Sequence, residues 1–160
     1  MQEIRLTTAI CAPRERVFDL ARSIDAHRAS ATGTDERAIS GVTTGLIGLN
    51  DEVTWEARHF GLRLRLTVKV TEFDRPNHFR DVMVSGNFQK MAHDHLFAAD
   101  AVGTLMTDCF VFNSPFGALG RSLDALFLAR YLRTFLIHRN KALKDLAESK
   151  EWQHYLCASP

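Results

Sequence analysis

The sequence predicts an α+β domain in which an antiparallel sheet of about seven strands wraps around one long C-terminal helix. Three observations predict this fold class. Between residues 52 and 112, apolar and polar side chains alternate with period two, as they do in half-buried antiparallel strands. Two short helical segments directly follow a first strand. From about Leu119 to Ala147 the chain is rich in apolar residues and holds no proline, which predicts one long helix.

Length and charge fit a single folded domain and argue against several classes of partner. The 160 residues include 20 basic and 19 acidic side chains, and the resulting formal net charge of +1 does not favour binding to nucleic acid. No apolar run approaches the roughly 20 residues of a membrane span, so we expect no stable membrane insertion. The start of the chain, with Glu3 and Arg5, lacks the apolar stretch of a signal peptide. With 3 scattered cysteines, we expect a cytoplasmic protein without disulfides.

The first third of the chain predicts a strand and two short helices. Residues 2–10 alternate between apolar and polar side chains, which indicates a strand. Ala12-Pro13 starts a helix, because proline suits the first helical turn. Ser23 begins a second helix that ends near Ser30. Residues 31–51 are rich in Gly, Thr and Ser and hold only short strand segments, such as Arg37–Ser40.

The clearest amphipathic pattern predicts a hairpin at residues 53–70. A turn at Phe60-Gly61 separates two runs in which one face is apolar and the other charged. On the charged face, Glu56 is expected opposite Arg65 and Arg58 opposite Arg63, all exposed to solvent. The inward face carries these residues: Val53, Trp55, Ala57, His59, Leu62, Leu64, Leu66, Val68 and Val70.

The second half of the chain completes the sheet and predicts its closing helix. Strands are expected at about 78–84, 88–98 and 104–112, with a turn at residues 74–77 before them. Ser114-Pro115 is a helix-start signal, and the long helix follows from about Leu119 to Ala147. Its apolar residues cover most of its circumference, so we expect Phe127 and Phe135 to be buried. We expect residues 1–147 to form a single domain and leave the tail 148–160 unassigned.

Several stretches carry a resemblance to a known superfamily. They are Ala12-Pro13 with Val17-Phe18, residues 41–61, Phe73-Asp74-Arg75-Pro76, residues 87–97 and residues 114–120. With the order of the elements, they resemble the helix-grip superfamily (SRPBCC), which includes START domains, Bet v 1-like allergens and bacterial polyketide cyclase/dehydrase-like proteins. The chain looks most like the last of these, a bacterial ligand-binding branch. The resemblance spans residues 1–147 and implies an apolar cavity between sheet and helix, without implying one chemistry.

The inward-facing residues of this predicted cavity are the candidate ligand-binding site. Alternation places one set of strand residues on the concave face, and the helix contributes two aromatic residues. The candidates are Trp55, Ala57, His59, Leu64, Leu66, Met91, His93, His95, Met106, Asp108, Phe110, Phe127 and Tyr131.

A group of polar residues within this apolar face is the most suggestive chemical feature. His59, His93, His95 and Asp108 are all predicted to face inward. An Asp–His pair fixes an imidazole tautomer and suits general acid/base chemistry, so His93, His95 and Asp108 are the candidate catalytic residues. The alternative is that these groups satisfy one another or orient a ligand. We expect no metal, because a zinc site needs three or four converging ligands.

Other residues are weaker candidates for a functional role. Cys109 has no adjacent activating base, so an inert thiol is expected. Arg130 and Arg133 are expected to extend from the long helix to the surface, and Arg139 to be solvated near its end. Gly45–Gly48 is not followed by the Gly-Lys-Ser/Thr of a phosphate loop, and no dinucleotide fingerprint is present, so no cofactor is expected.

Three functions from different classes fit these observations. The favoured one is non-enzymatic binding of a small hydrophobic or aromatic molecule with one polar end. The second is a cyclase or dehydratase in which His59, His93 or His95 is the general base and Asp108 orients it. The third is a module for lipid transfer or protein interaction through the apolar helix, and a homodimer is left open.

Overall fold

The computed structural model describes residues 1–31, 34–113 and 123–156, with side chains from residue 127 onward in the last long helix. Its elements run in this order: β1 (Gln2–Ile10), α1 (Arg14–Ala21), α2 (Ile24–Ser30), β2 (Arg37–Gly41), β3 (Glu52–His59), β4 (Leu62–Asp74), β5 (His78–Ser85), β6 (Lys90–Asp100), β7 (Gly103–Asn113), α3 (Leu123–Glu148) and α4 (Gln153–Leu156). The α+β prediction and its two short early helices are confirmed. The predicted helix start at Ser114-Pro115 and Leu119 lies outside the described residues, as does Cys157.

The seven strands form one sheet in the order β1-β7-β6-β5-β4-β3-β2, and all neighbouring pairs are antiparallel. Sequential strands from β2 to β7 are neighbours, so the chain meanders across the sheet. β1 closes it by pairing with β7, the last strand. This topology leaves one concave face for α3. None of the described helices is long and apolar enough to cross a membrane.

The β3–β4 hairpin forms as the alternation predicts. Phe60 and Gly61 both have positive φ, at 53° and 77°, as the two central residues of a tight hairpin turn require. The resulting register pairs Glu56 with Arg65 and Arg58 with Arg63. Glu56 lies 2.9 Å from Arg65 and is half-buried beneath it, although we expected it to be exposed.

The two short helices cover one end of the concave face. Ser23 caps α2 by accepting a hydrogen bond from the Ala26 backbone N–H at 3.3 Å. On α1, Phe18 is fully buried and meets three other phenylalanines edge-on, at centroid distances of 5.3–5.5 Å: Phe73, Phe79 and Phe97. This packed cluster joins α1 to β5, β6 and β7 and forms one part of the core.

The long helix α3 has one buried face rather than a buried circumference. Leu136, Asn140, Leu143 and Ala147 are buried, and their spacing of three or four residues places them on the side facing the sheet. Phe127 is 62% exposed. The expectation that Phe127 is buried is therefore wrong, because only one face of α3 packs on the sheet and Phe127 lies instead beside the exposed Phe60, at 5.7 Å between ring centroids. Phe135 is half-buried.

Residues 148–156, the described part of the tail, pack against the rest of the domain. Lys150 to Leu156 include a short helix, α4, and Trp152, Tyr155 and Leu156 pack against the cluster around Phe18. The guanidinium of Arg16 lies 4.3 Å above the Trp152 ring. The described part of the tail therefore adds to the core that α1 forms.

Candidate functional site

A cavity of about 360 Å³ lies between the concave face of the sheet and α3. Its walls come from β3, β4, β6, β7 and α3, and they are predominantly apolar. Exposed residues at the β3–β4 turn and the β5–β6 connection, including Phe60, Leu62 and Asn87, lie at its mouth. At its inner end are polar side chains from four elements and from the segment before β2: His27, Glu36, Asp81, His93 and Arg139.

Most of the predicted site residues line this cavity. The structure brings together nine of the thirteen there: Trp55, Ala57, His59, Leu64, Leu66, Met91, His93, Phe110 and Tyr131. The other four lie elsewhere. His95 borders a smaller adjoining cavity of about 50 Å³, and Asp108 is buried behind the wall. Met106 packs in the cluster around Phe18, and Phe127 is exposed at the rim, so neither of these two lines the cavity.

The predicted His/Asp group forms a hydrogen-bonded chain across three strands. His93 Nε2 donates to Asp108 Oδ1 at 2.8 Å, and His95 Nδ1 approaches the same oxygen at 3.1 Å. His95 Nε2 then donates to Asp81 Oδ1, also at 3.1 Å. The chain is possible because alternation turns His93 and His95 inward on β6, with Asp81 directly opposite His93 on β5.

The helix α3 completes the hydrogen bonding of Asp108. Asn140 Nδ2 donates to Asp108 Oδ2 at 2.7 Å and lies 3.4 Å from Thr8 Oγ1 on β1. Both carboxylate oxygens of the buried Asp108 are therefore satisfied, as a buried charge requires. Asn140 ties α3 to this centre of the sheet.

Burial and hydrogen bonding shift the pKa values of Asp108, His93 and His95 in different directions. Burial opposes ionisation of Asp108, but hydrogen bonds from His93 and His95 outweigh it and hold the pKa of Asp108 well below its ordinary value. Burial also lowers the pKa of His93, and the charge of His95 adds to that effect. For His95, hydrogen bonds to Asp108 and Asp81 overcome burial and raise the pKa. Burial therefore disfavours a proton on His93, which faces the cavity, whereas the two carboxylates favour a proton on His95.

A second polar pair, which the sequence analysis missed, lies beside Trp55. His27 on α2 and Glu36 before β2 approach to 3.3 Å between Nε2 and Oε1, and both are largely buried. Among the described residues, His27 Nε2 and Glu36 Oε2 have no hydrogen-bond partner. Burial raises the pKa of Glu36, but His27 and Arg139 outweigh it and the net shift is downward. The buried Oε2 atom of Glu36 can therefore accept a further hydrogen bond.

Arg139 is a third polar residue at the inner end of the cavity that the sequence analysis did not assign to the site. The sequence suggested a solvated residue near the end of the helix, yet Arg139 is half-buried and borders both cavities. Burial lowers the pKa of His27, and the charge of Arg139 lowers it further. The same charge also lowers the pKa of Glu36. The only signal in the sequence was its position four residues after Phe135 on one face of α3.

Aromatic residues surround the mouth. The Tyr131 hydroxyl donates to His59 Nδ1 at 2.6 Å, and burial lowers the pKa of His59, which favours the neutral imidazole as the acceptor. The Phe60 ring lies 4.5 Å from Tyr131 and 5.7 Å from Phe127. These rings form an apolar rim around the mouth of the cavity.

The remaining candidates behave as the sequence indicated. Arg130 and Arg133 are exposed on α3. Burial raises the pKa of the Cys109 thiol, which disfavours the nucleophilic thiolate.

Comparison with known proteins identifies the fold. No family model and no curated protein matches the chain. Two similar bacterial structures are TTHA0849 from Thermus thermophilus, at 20% identity and a TM-score of 0.68, and CV1439 from Chromobacterium violaceum, at 15% identity and a TM-score of 0.69. The alignments cover 89% of this chain and 97% of the first protein, and 92% of this chain and 98% of the second.

Two further solved structures have a fold similar to that of this chain. Ara h 8.0201 is 10% identical with a TM-score of 0.68, covering 91% of this chain and 97% of that one. Major latex-like protein 151 from Panax ginseng is 11% identical with a TM-score of 0.67 and the same coverage, 91% and 97%. At such identities the likeness is one of fold. The chain therefore has the helix-grip, Bet v 1-like α+β fold that the sequence predicted.

Proposed function

We propose that this protein binds a small hydrophobic or aromatic molecule with one polar end, inside the cavity between sheet and α3. The observation that carries the proposal is the cavity itself, about 360 Å³ in volume and lined mainly by apolar side chains. This volume lies at the lower end of the roughly 300–1,000 Å³ of typical ligand sites. A compact molecule of one to three rings fits such a space better than a long acyl chain.

The inner end of the cavity supports the polar part of the proposal. Glu36 Oε2 is buried there with accepting capacity left over, and Arg139 and His93 lie on the same side. A buried polar atom that lacks a partner costs free energy, which a ligand donor would recover. We therefore propose that the ligand carries a hydroxyl or amine group that donates to Glu36.

We also propose that the chain belongs to the bacterial polyketide cyclase/dehydrase-like branch of the helix-grip proteins. Support comes from the stretches that carry the resemblance and from the two bacterial structures of the same fold. A ligand built from apolar rings, such as a polyketide, agrees with the aromatic lining by Trp55, Phe88 and Phe110.

Acid/base catalysis is a second candidate, favoured by one specific observation. His93 lines the cavity, and its Nε2 donates to the buried Asp108 at 2.8 Å. The carboxylate fixes the tautomer and leaves Nδ1 of the neutral ring as a base. If the protein is such an enzyme, His93→Gln abolishes turnover while binding of the same compound persists. A pure binding protein loses only affinity in this variant.

A pair of substitutions tests the binding proposal. Ala57 is buried and lines the cavity, whereas its neighbour Arg58 is exposed on the opposite face of β3. Ala57→Phe fills the cavity, so we expect binding of the apolar probe N-phenyl-1-naphthylamine to weaken at least 10-fold. Arg58→Phe adds the same ring outside and should bind as the wild type does. Equal binding by both variants, with wild-type circular dichroism, would contradict the proposal.

A pair of compounds tests the polar end. 1-Naphthol and 1-methoxynaphthalene have similar shapes, but only the former donates a hydrogen bond. A bond to a charged acceptor contributes about 1.5–3 kcal/mol, so 1-naphthol should bind roughly 10-fold or more tightly. In Glu36→Leu the difference should disappear. Equal affinities in the wild-type protein would remove Glu36 from the proposal and leave the apolar part standing.

A further inference from the structure

We propose that Asp81, His93 and His95 bind a divalent transition-metal ion, Zn²⁺ or Fe²⁺, at the inner end of the cavity. Each side chain offers one ligand atom, and the three atoms lie within 4.8 Å of one another. His95 Nε2 and Asp81 Oδ1 are already 3.1 Å apart. With metal–ligand bonds of about 2.0–2.2 Å, ligand atoms around a tetrahedral ion are roughly 3.3–3.6 Å apart. Small side-chain rotations therefore bring all three within bonding distance.

The sheet holds these ligands in a fixed arrangement. His93 and His95 are two residues apart on β6, so both point to the concave face, and Asp81 is the direct partner of His93 on β5. The sequence showed only two histidines on one face. The third ligand became visible only with the register between the two strands. A site on paired strands is more rigid than one on loops.

The surroundings of the site match those of known metal centres. Metal-binding histidines usually donate their second ring nitrogen to a carboxylate, which orients the ring. Here Asp108 takes that place for both rings, through His93 Nε2 at 2.8 Å and His95 Nδ1 at 3.1 Å. The second nitrogen of each ring would bind the metal, and His95 Nε2 would lose its proton and exchange its hydrogen bond to Asp81 for the metal bond. Asn140 holds Asp108 in turn, at 2.7 Å.

Charge and ligand type narrow the choice of ion. Asp81 and Asp108 bring two carboxylates into the interior, and a divalent cation with neutral imidazoles balances them. Two histidines and one carboxylate, with a position left open, form the ligand set of catalytic zinc sites and of non-haem Fe²⁺ sites. Asp81 and His93 border the large cavity, so the open position faces the space in which we place the small molecule.

Cobalt titration of the full-length protein tests the site. Co²⁺ stands in for both ions and absorbs visible light when it has four or five ligands. After treatment with a chelator and dialysis, we expect one Co²⁺ per chain with such bands, displaced by Zn²⁺. Parallel titration with Fe²⁺ under anaerobic conditions distinguishes the two natural candidates. No organic probe is present, so the outcome is independent of the binding proposal tested with Ala57→Phe.

Matched variants identify the ligands. Asp81→Asn and His95→Gln should each weaken Co²⁺ binding at least 10-fold and change the spectrum. His78 is the control, because it lies on β5 but donates to Asp94 at 2.9 Å on the opposite face. His78→Gln should bind as the wild type does. Absence of the visible bands in the wild-type protein, or their loss in His78→Gln but not in Asp81→Asn, would overturn the proposal. The wild-type spectrum remains decisive even if a variant does not fold.

Discussion

The imidazole of His27 lies stacked on the indole of Trp55, with ring centroids 4.0 Å apart and the planes inclined by 17°. The contact joins α2 to β3 at the inner end of the cavity, and both residues border it. Trp55 is only 6% exposed. Because its emission depends on this buried environment, Trp55 reports directly on whatever enters the cavity.

Trp55 fluorescence should therefore change on ligand binding. The chain has 2 tryptophans, and Trp152 lies on the far side, against the cluster around Phe18. In a Trp152→Phe background, we expect a saturable decrease in emission as N-phenyl-1-naphthylamine is added. The reciprocal Trp55→Phe protein should show a smaller decrease in Trp152 emission, because Trp152 packs against the cluster around Phe18 and does not line the cavity. A change confined to Trp152 would mean that the probe binds elsewhere.

Two phenylalanines should differ sharply in their contribution to stability. Phe18 is fully buried among three aromatic rings, whereas Phe127 is 62% exposed. Phe18→Ala should lower the free energy of unfolding by about 3–5 kcal/mol, because it removes contacts and leaves a cavity. Phe127→Ala should lower it by less than about 1 kcal/mol. Urea denaturation measures both, and equal losses would contradict this description of the core.

The ion pairs of Asp19 should make stability depend on acid pH. Arg75 and Arg22 donate to Asp19 at 2.6 and 2.8 Å. Burial opposes ionisation of Asp19, but these hydrogen bonds outweigh it and lower its pKa below the ordinary 3.8. A carboxyl whose pKa is lower in the folded state stabilises the fold above its unfolded pKa and loses that contribution as pH falls through the folded pKa.

The Asp19→Asn variant isolates this effect. We expect the difference in unfolding free energy between wild type and Asp19→Asn to be constant from pH 7 to about pH 5. Below about pH 4, near the unfolded pKa, it should shrink as Asp19 becomes protonated. Urea denaturation at each pH measures the difference. If it has the same size at pH 3 as at pH 7, the ion pairs do not stabilise the fold.

Local patterns in the sequence predicted the sheet well. Period-two alternation fixed which side of β3 and β4 faces inward, and it predicted the pairing of Glu56 with Arg65. The same alternation turned His93, His95 and Asp108 toward one another. These predictions succeeded because the side-chain direction in a strand depends only on position along that strand.

Contacts between distant segments explain what the sequence left out. Glu36 lies in a segment without periodicity, so nothing indicated that it would meet His27. Arg139 was expected to be solvated, but it is half-buried and borders the cavity between the sheet and α3. Phe127 was expected in the core because α3 is apolar over much of its circumference, but only one face of that helix meets the sheet. Each of these depends on tertiary packing, which no local pattern encodes.

Methyl NMR spectroscopy with a bound probe tests the central claim most directly. Leu64, Leu66 and Leu132 line the cavity, whereas Val17 and Leu20 belong to the packed cluster around Phe18. On titration with N-phenyl-1-naphthylamine, we predict large shifts of the three cavity leucines that saturate at one probe per chain, and little change at Val17 and Leu20. Shifts confined to exposed residues such as Ile39 and Leu49, or no shifts at a saturating concentration, would contradict ligand binding in this cavity.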